Sequence, residues 1–393
     1  MVYFNTSHLL KNHGHEVFHF STTDCRNGRS EYDEYFISNS DIRELSFAGK
    51  IKRSPSYLYN RKAKKNLELL VRDFRPDIAH VHIFYAELSV SILRALKKLN
   101  IPVVHTIHDY RLLCPVTNFI DKNGNICELC KDRHFIHCLK KKCSEGNLGQ
   151  SAMVMLEAYF WKYFVNPIDY IDHFIFVSNY SKNKHLEFNE DFRTKCSQIY
   201  NFTNLSLPDD LVNKGDYFLF FGRLSAEKGV ENLLMAFSRI KSHKLKIAGT
   251  GTLKGVVEKA SSNNPNIEYV GFKTEKELEL LISNSSFIIV PSICYENNPM
   301  TIIEAFCYGK PVIGADIGGI SELIIHGENG YLFKPNDPES LISMIKKAAL
   351  LSDSEYKQYS VASKKSAQDK FDSEKHYLKL LSLYQNIIKK YSS

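Results

Sequence analysis

Glu296 and Glu304 stand eight positions apart in Tyr295-Glu296-Asn297-Asn298-Pro299-Met300-Thr301-Ile302-Ile303-Glu304-Ala305. That spacing can place two carboxylates around the start of a single helix. Asn298 suits the N-cap and Pro299 the first helical position, while Gly309 suits the C-terminal cap and Pro311 the stop. On this reading Glu296 precedes the helix and Glu304 lies about two turns inside it. Free N–H groups at a helix start suit an anion or a row of sugar oxygens. The inner carboxylate can accept hydrogen bonds from a vicinal diol. The chemistry this points to is capture of a phosphorylated sugar.

Three other loops carry matching residue types. Gly222-Arg223-Leu224-Ser225-Ala226-Glu227-Lys228-Gly229 sets an Arg and a Lys on a glycine-bounded loop. The fork of Arg223 and the point charge of Lys228 could neutralise a diphosphate leaving group. An ordinary basic loop is the plainer alternative. Gly249 and Gly251 in Ala-Gly-Thr-Gly, and the pair Gly318-Gly319, would let a ligand approach the backbone.

These loops need a scaffold that brings them to one rim, and the pattern supplies one. Apolar runs at 217–221, 245–248, 267–270, 287–290 and 311–314 alternate with helical segments. The first half alternates likewise, with strands expected at 16–20, 77–82, 102–107 and 174–177. Helices are expected at 65–74, 88–99 and about 153–164. Crossovers of this length imply parallel sheets with right-handed connections. The fold expected is α/β, with two doubly wound Rossmann-like domains facing a cleft. Its divisions are residues 1–203, residues 204–372 after a polar linker at 201–214, and a final helix, 373–393, packing back on the first domain. Ligands in such sheets bind beyond the carboxyl ends of the strands.

A chain of 393 residues supports two such cores. No run approaches the roughly 18 apolar residues of a membrane span, and the first residues lack a basic segment followed by an apolar run, so no secretion signal is expected. The net charge of +7 is uneven: Lys50 to Arg53, Arg61 to Lys65 and Lys140 to Lys142 all lie in the first half. Such patches could face an anionic membrane or simply be solvated. Nine cysteines suit a reducing compartment. Cys127, Cys130, Cys138 and Cys143, in the excursion 114–143, have the rhythm of a structural zinc knuckle, and equally of free thiols in a packed loop.

With Gly-Arg-Leu…Glu-Lys-Gly, Ala-Gly-Thr-Gly, Glu-x7-Glu-Ala…Gly-Lys-Pro-Val-Ile and Gly-Gly-Ile-Ser-Glu in this order, the second half closely resembles family 4 glycosyltransferases. The first half resembles them more loosely, in Asn12-His13-Gly14-His15-Glu16-Val17 and His105-Thr106-Ile107-His108-Asp109-Tyr110-Arg111. The resemblance implies retaining chemistry on the two-Rossmann-domain GT-B scaffold. It implies that Arg223 and Lys228 hold the donor diphosphate and that Glu304 binds the ribose hydroxyls. Glu296 would contact the donor sugar, with the backbone of Asn298, Pro299 and Met300 cradling sugar and phosphate. His108 matches a position near the transferring sugar; a strand-end packing role is its alternative.

No Asp-x-Asp pattern is present to recruit a divalent metal, so no catalytic cofactor is expected. The expected partners are a nucleoside-diphosphate sugar, a glycan or undecaprenyl-linked acceptor and an anionic membrane surface, with no nucleic acid. The expected setting is the cytoplasm, at the inner face of the membrane, in capsule, O-antigen or exopolysaccharide assembly. A sugar-nucleotide epimerase, or a catalytically impaired nucleotide-sugar-binding subunit, is the alternative. The chain also opens in helix-like sequence where a first Rossmann strand and glycine loop belong. The expectation is that this strand lies upstream.

Overall fold

A computed structural model describes residues 2–24, 27, 30–38, 55–203 and 214–392. The basic run 50–53 and residues 204–213 of the expected linker lie outside the described residues.

Helix α1 (Val2–Asn12) opens the chain, and the strand expected at 16–20 does not form. The first pairing comes later, between β1 (Thr22–Thr23) and β2 (Ile37–Ser38). A strand needs a neighbouring row of N–H and C=O groups, and residues 16–20 are held by side chains instead. Phe18 stacks on Phe74 with ring centroids 4.5 Å apart, and His19 bonds Tyr3 and Ser7.

The first sheet is parallel, in the order β3 (Ala79–Val81), β4 (Val103–Ile107), β5 (His173–Phe176) and β6 (Cys196–Gln198). The three-residue edge strand β6 carries no apolar run to announce it. Among its connections are α2 (Arg61–Phe74), α3 (Ser91–Lys98), α4 (Ile136–Lys140), α5 (Leu148–Tyr163) and α6 (Asn179–Phe188). Helix α2 starts where Asn60 accepts hydrogen bonds from the Lys62 and Ala63 amides.

The second sheet has strands β7 (Tyr217–Phe221), β8 (Lys244–Ala248), β9 (Ile267–Gly271), β10 (Ile288–Val290), β11 (Val312–Ala315) and β12 (Gly330–Phe333). Their order is β12-β11-β10-β7-β8-β9. The connecting helices are α7 (Val230–Arg239), α8 (Lys254–Asn263), α9 (Glu275–Ser283), α10 (Met300–Cys307) and α11 (Gly319–Leu323). Helices α12 (Pro338–Ala349), α13 (Asp353–Lys370) and α14 (Ser373–Ser392) close the chain. This is the doubly wound order, and its direction reverses between β7 and β10. The loops leaving those two strands therefore flank the switch point, the place where sheets of this kind bind ligands.

Leu380, Tyr384 and Ile387 of α14 pack on Val104, Ile175 and Ile199 of the first sheet. The residues before the undescribed linker segment are not a solvated tether. Asn201 is buried, and its amide N–H donates to the Asn298 side chain at 2.9 Å.

Gly229 makes the turn into α7 with φ +70°, and a Cβ there would lie 1.8 Å from the Pro291 carbonyl oxygen. Gly229→Ala is expected to cost at least about 2 kcal/mol, from left-handed strain plus the clash. Gly255→Ala, in α8 with nothing within 4 Å of its added Cβ, is expected to be neutral or mildly stabilising. Urea midpoints of the two variants check the contrast.

Candidate active site

The crevice between β7 and β10 is built from two loops that grip each other. The Ile293 amide donates to the Glu227 carbonyl at 3.0 Å. Lys228 Nζ lies 2.5 Å from Glu296 Oε1, and Ser292 Oγ donates to the same oxygen at 2.7 Å. Burial alone would lower the Lys228 pKa, but the Glu296 carboxylate raises it above the usual lysine value. Two residues expected to grip different parts of one ligand thus hold each other. Arg223, on the same loop, is exposed.

Helix α10 begins one position later than the sequence suggests. Pro299 is the N-cap with no side-chain cap, and Asn298 turns away to accept from Asn201. Proline tolerates that place because it has no N–H to leave unpaired. Glu304 is therefore only the fifth residue of α10, little more than one turn in. It is 8% exposed, and burial pushes its carboxyl pKa up to about 7.

Asn297 Oδ1 and Asn298 Nδ2 are buried without a hydrogen-bond partner. An unmade hydrogen bond at a buried polar atom is costly, so each calls for a polar partner, whether water or ligand. The sequence reading missed the Asn297 side chain; its signal was an Asn next to the candidate carboxylate. The Gly318-Gly319 pair explains how the next loop closes in. The Gly319 amide donates to the Glu296 carbonyl at 2.6 Å, and a Cβ there would sit 1.8 Å from the Asn297 carbonyl oxygen. Gly249 and Gly251 likewise pack against the Gly222 and Leu224 carbonyls.

The first sheet reaches this loop from across the cleft. His108 is half-buried just past β4, and burial lowers its pKa to about 4, so it is neutral at pH 7. Its Nε2 lies 2.8 Å from His82 Nδ1, a partner the sequence gave no reason to pair with it. Tyr110, two residues on, meets Tyr295 at 6.3 Å between ring centroids, beside Glu296. The Tyr295 hydroxyl donates to Glu128 at 2.8 Å, which fastens the cysteine-bearing excursion to the same loop.

A second interdomain tie comes from Glu322 in Gly-Gly-Ile-Ser-Glu. Its carboxylate accepts from the Asn179 and Tyr180 amides at 3.0 and 2.8 Å, capping α6 of the other sheet. The Tyr200 hydroxyl donates to it as well, at 2.5 Å. An anion at a helix start is favourably placed.

The cysteine excursion packs three of its thiols together against apolar side chains. Cys130 and Cys138 are buried against Phe135, Met155 and Ala158, with Cys143 packed beside them. Among the described residues no group of three or more His, Cys, Asp or Glu side chains is disposed to hold a metal.

Two family models together span nearly the whole chain: Glycosyltransferase Family 4 over residues 1–207 and Glycosyl transferases group 1 over residues 208–366. An uncharacterized glycosyltransferase of Methanocaldococcus jannaschii is 27% identical over 379 residues, covering 94% of this chain and 90% of that protein. The lipopolysaccharide 1,2-N-acetylglucosaminetransferase of Salmonella typhimurium is 28% identical over 171 residues, covering 39% of this chain and 45% of that protein. Sucrose-phosphate synthase from Thermosynechococcus elongatus shares the fold at TM-score 0.69 and 17% identity, over 97% of this chain and 91% of that one. Anabaena HepE in complex with UDP and glucose shares it at TM-score 0.58 and 16% identity, over 82% of each chain.

Proposed function

This chain belongs to glycosyltransferase family 4, and from that membership we propose a retaining hexosyltransferase that uses a nucleoside-diphosphate sugar. In this reading the acceptor is a glycan or an undecaprenyl-linked glycan, extended in surface polysaccharide assembly at the inner face of the cytoplasmic membrane. The relationship to a lipopolysaccharide transferase supports the polysaccharide setting. The structural likeness to a chain holding UDP and glucose supports the choice of donor.

The observation that carries the proposal is the crevice at the sheet's reversal point. It holds a cation pair-bonded to one carboxylate, a second buried carboxylate with raised pKa, and two asparagine side chains with unmet hydrogen bonds. The donor diphosphate takes Arg223 and Lys228, and Glu304 accepts the two ribose hydroxyls. Glu296, freed from Lys228 by the incoming phosphate, turns with Asn297 to the hydroxyls of the donor sugar. His108 approaches the same sugar from the first domain.

Departure of the nucleoside diphosphate breaks the anomeric carbon–oxygen bond and develops negative charge that the two cations stabilise. The acceptor hydroxyl bonds to the anomeric carbon on the face the phosphate leaves. Its proton passes to the departing phosphate oxygen, and no side chain need act as nucleophile.

Calorimetric titration with UDP-, GDP- and ADP-sugars tests the reading. One donor is expected to bind at micromolar affinity without added metal. A folded protein that binds none of them overturns it.

A further inference from the structure

Helix α5 presents its outward side to solvent without a charge. At 100° per residue, Leu148, Ala152, Leu156, Tyr159 and Tyr163 fall within a sector of about 80°. Gly149, Phe160 and Met153 widen the sector to about 140° and add nothing charged. Its outermost side chains are open: Leu148 is 55% exposed, Leu156 53%, Tyr163 66%, and Phe164, just past the helix, 76%, while Ala152, Met153, Tyr159 and Phe160 are half-buried. The opposite side, with Ser151, Met155, Ala158 and Trp161, is buried in the domain. A surface helix of a soluble domain normally turns its polar face outward, so an apolar stripe of this length marks an interaction surface.

The aromatic rings at its end are ordered. Tyr159 and Tyr163 stack with centroids 6.0 Å apart, and Phe160 and Phe164 at 5.6 Å. Positive charge frames the stripe. Lys162 lies 5.3 Å from the Tyr163 ring centre. Helix α4 runs alongside, tied by the Ile136 amide to the Tyr159 hydroxyl at 3.1 Å, and it leads into Lys140, Lys141 and Lys142. These three lysines are exposed; Lys141 lies 3.3 Å from Asp121.

We propose that this face of α5, with the lysines 140–142 beside it, is the surface by which the protein lies on an anionic lipid bilayer. The charge complementarity decides between occupants. A second copy of this chain would set the same lysines against each other or against apolar rings, whereas anionic headgroups neutralise them while Leu156, Tyr163 and Phe164 enter the acyl boundary. No helix among the described residues is long and apolar enough to cross a membrane, so the contact is lateral. The surface belongs to the first domain. The inference therefore rests on the membrane-side part of the proposed function, and it names the face that would meet a lipid-linked acceptor's membrane.

The test is co-sedimentation of the full chain with vesicles of phosphatidylcholine alone or with 30% phosphatidylglycerol. Strong binding is expected only to the anionic vesicles, weakening as salt is raised. The double variant Leu156→Ser/Phe164→Ser is expected to lose at least tenfold in partitioning. So is the triple variant Lys140→Ser/Lys141→Ser/Lys142→Ser, since each lysine near an anionic surface contributes roughly fivefold. All five positions are exposed, and circular dichroism with donor titration confirms that the variants stay folded and keep the donor site.

Unchanged vesicle binding in both variants overturns the proposal. So does a dimer in sedimentation equilibrium that dissociates in Leu156→Ser/Phe164→Ser while wild type ignores vesicles. Failure of donor binding in wild type would overturn the transferase reading and leave the vesicle result to decide this one.

Discussion

Glu304→Ala is expected to weaken nucleoside-diphosphate sugar binding at least a hundredfold while leaving the protein folded. The carboxylate sits in α10 at 8% exposure, and burial alone accounts for its raised pKa of about 7. Among the described residues no side chain donates a hydrogen bond to it, and a ribose diol would bring two donors. Hydrogen bonds to a charged acceptor are worth roughly 1.5–3 kcal/mol each, so losing two spans the predicted factor.

The raised pKa makes the prediction depend on pH in a fixed direction. A ribose diol donates more strongly to the carboxylate than to its protonated form, which keeps only part of the acceptor capacity. Donor affinity should therefore rise from pH 6 to pH 8 and then level off, with a proton released on binding below about pH 7. Stability moves the other way. Between the ordinary 4.5 and about 7 the native protein binds more protons at this site than the unfolded chain does. This group's contribution therefore falls as pH rises across that window. Calorimetry at three pH values on wild type and Glu304→Gln checks both parts. A pH step that survives in Glu304→Gln would assign it to another group.

Lys228→Gln is expected to lower kcat by about a hundredfold to a thousandfold, with a smaller change in KM. Lys228 is one of two cations on the β7 side of the crevice, with Arg223, and in the free protein its ammonium is committed to Glu296 at 2.5 Å. A donor diphosphate must take that ammonium over, so its contribution grows as phosphate charge develops. Removing one preorganised donor to a developing anion typically costs two to three orders of magnitude in turnover. Loss of the pair also leaves the half-buried Glu296 without its cation, so Lys228→Gln should be measured beside Glu296→Gln and Lys228→Gln/Glu296→Gln. If Lys228 serves only to neutralise Glu296, the double variant is no slower than Glu296→Gln alone. If it holds the diphosphate, adding Lys228→Gln to Glu296→Gln still costs about a hundredfold or more.

Much of this site was legible in the chain itself. Glu296, Arg223, Lys228 and the glycines lie in loops that follow strands, where hydrophobic runs break into Gly, Asn and Pro, and Glu304 lies in the helix that one of these loops enters. Those breaks are local and follow from which residues can occupy a loop. Gly309 does turn with φ +61° after α10, as its lack of a Cβ invites. The helix start was misplaced by one residue because Asn298 had a competing partner, Asn201, 97 positions away.

The residues and their order determined two parallel α/β units, the rim that carries the polar loops and the family they belong to. Periodicity and turn chemistry act within a few residues, and that range suffices for strands, helices and loop ends. Tertiary structure alone decided which groups meet. It joined Lys228 to Glu296, His82 to His108, and Glu322 to the start of α6. It denied residues 16–20 a ladder and packed the excursion's thiols against Phe135 and Met155. It also turned the uncharged side of α5 outward. Each outcome depends on surfaces brought together from distant parts of the chain, where one apolar helix face finds a core and the other is left for a partner.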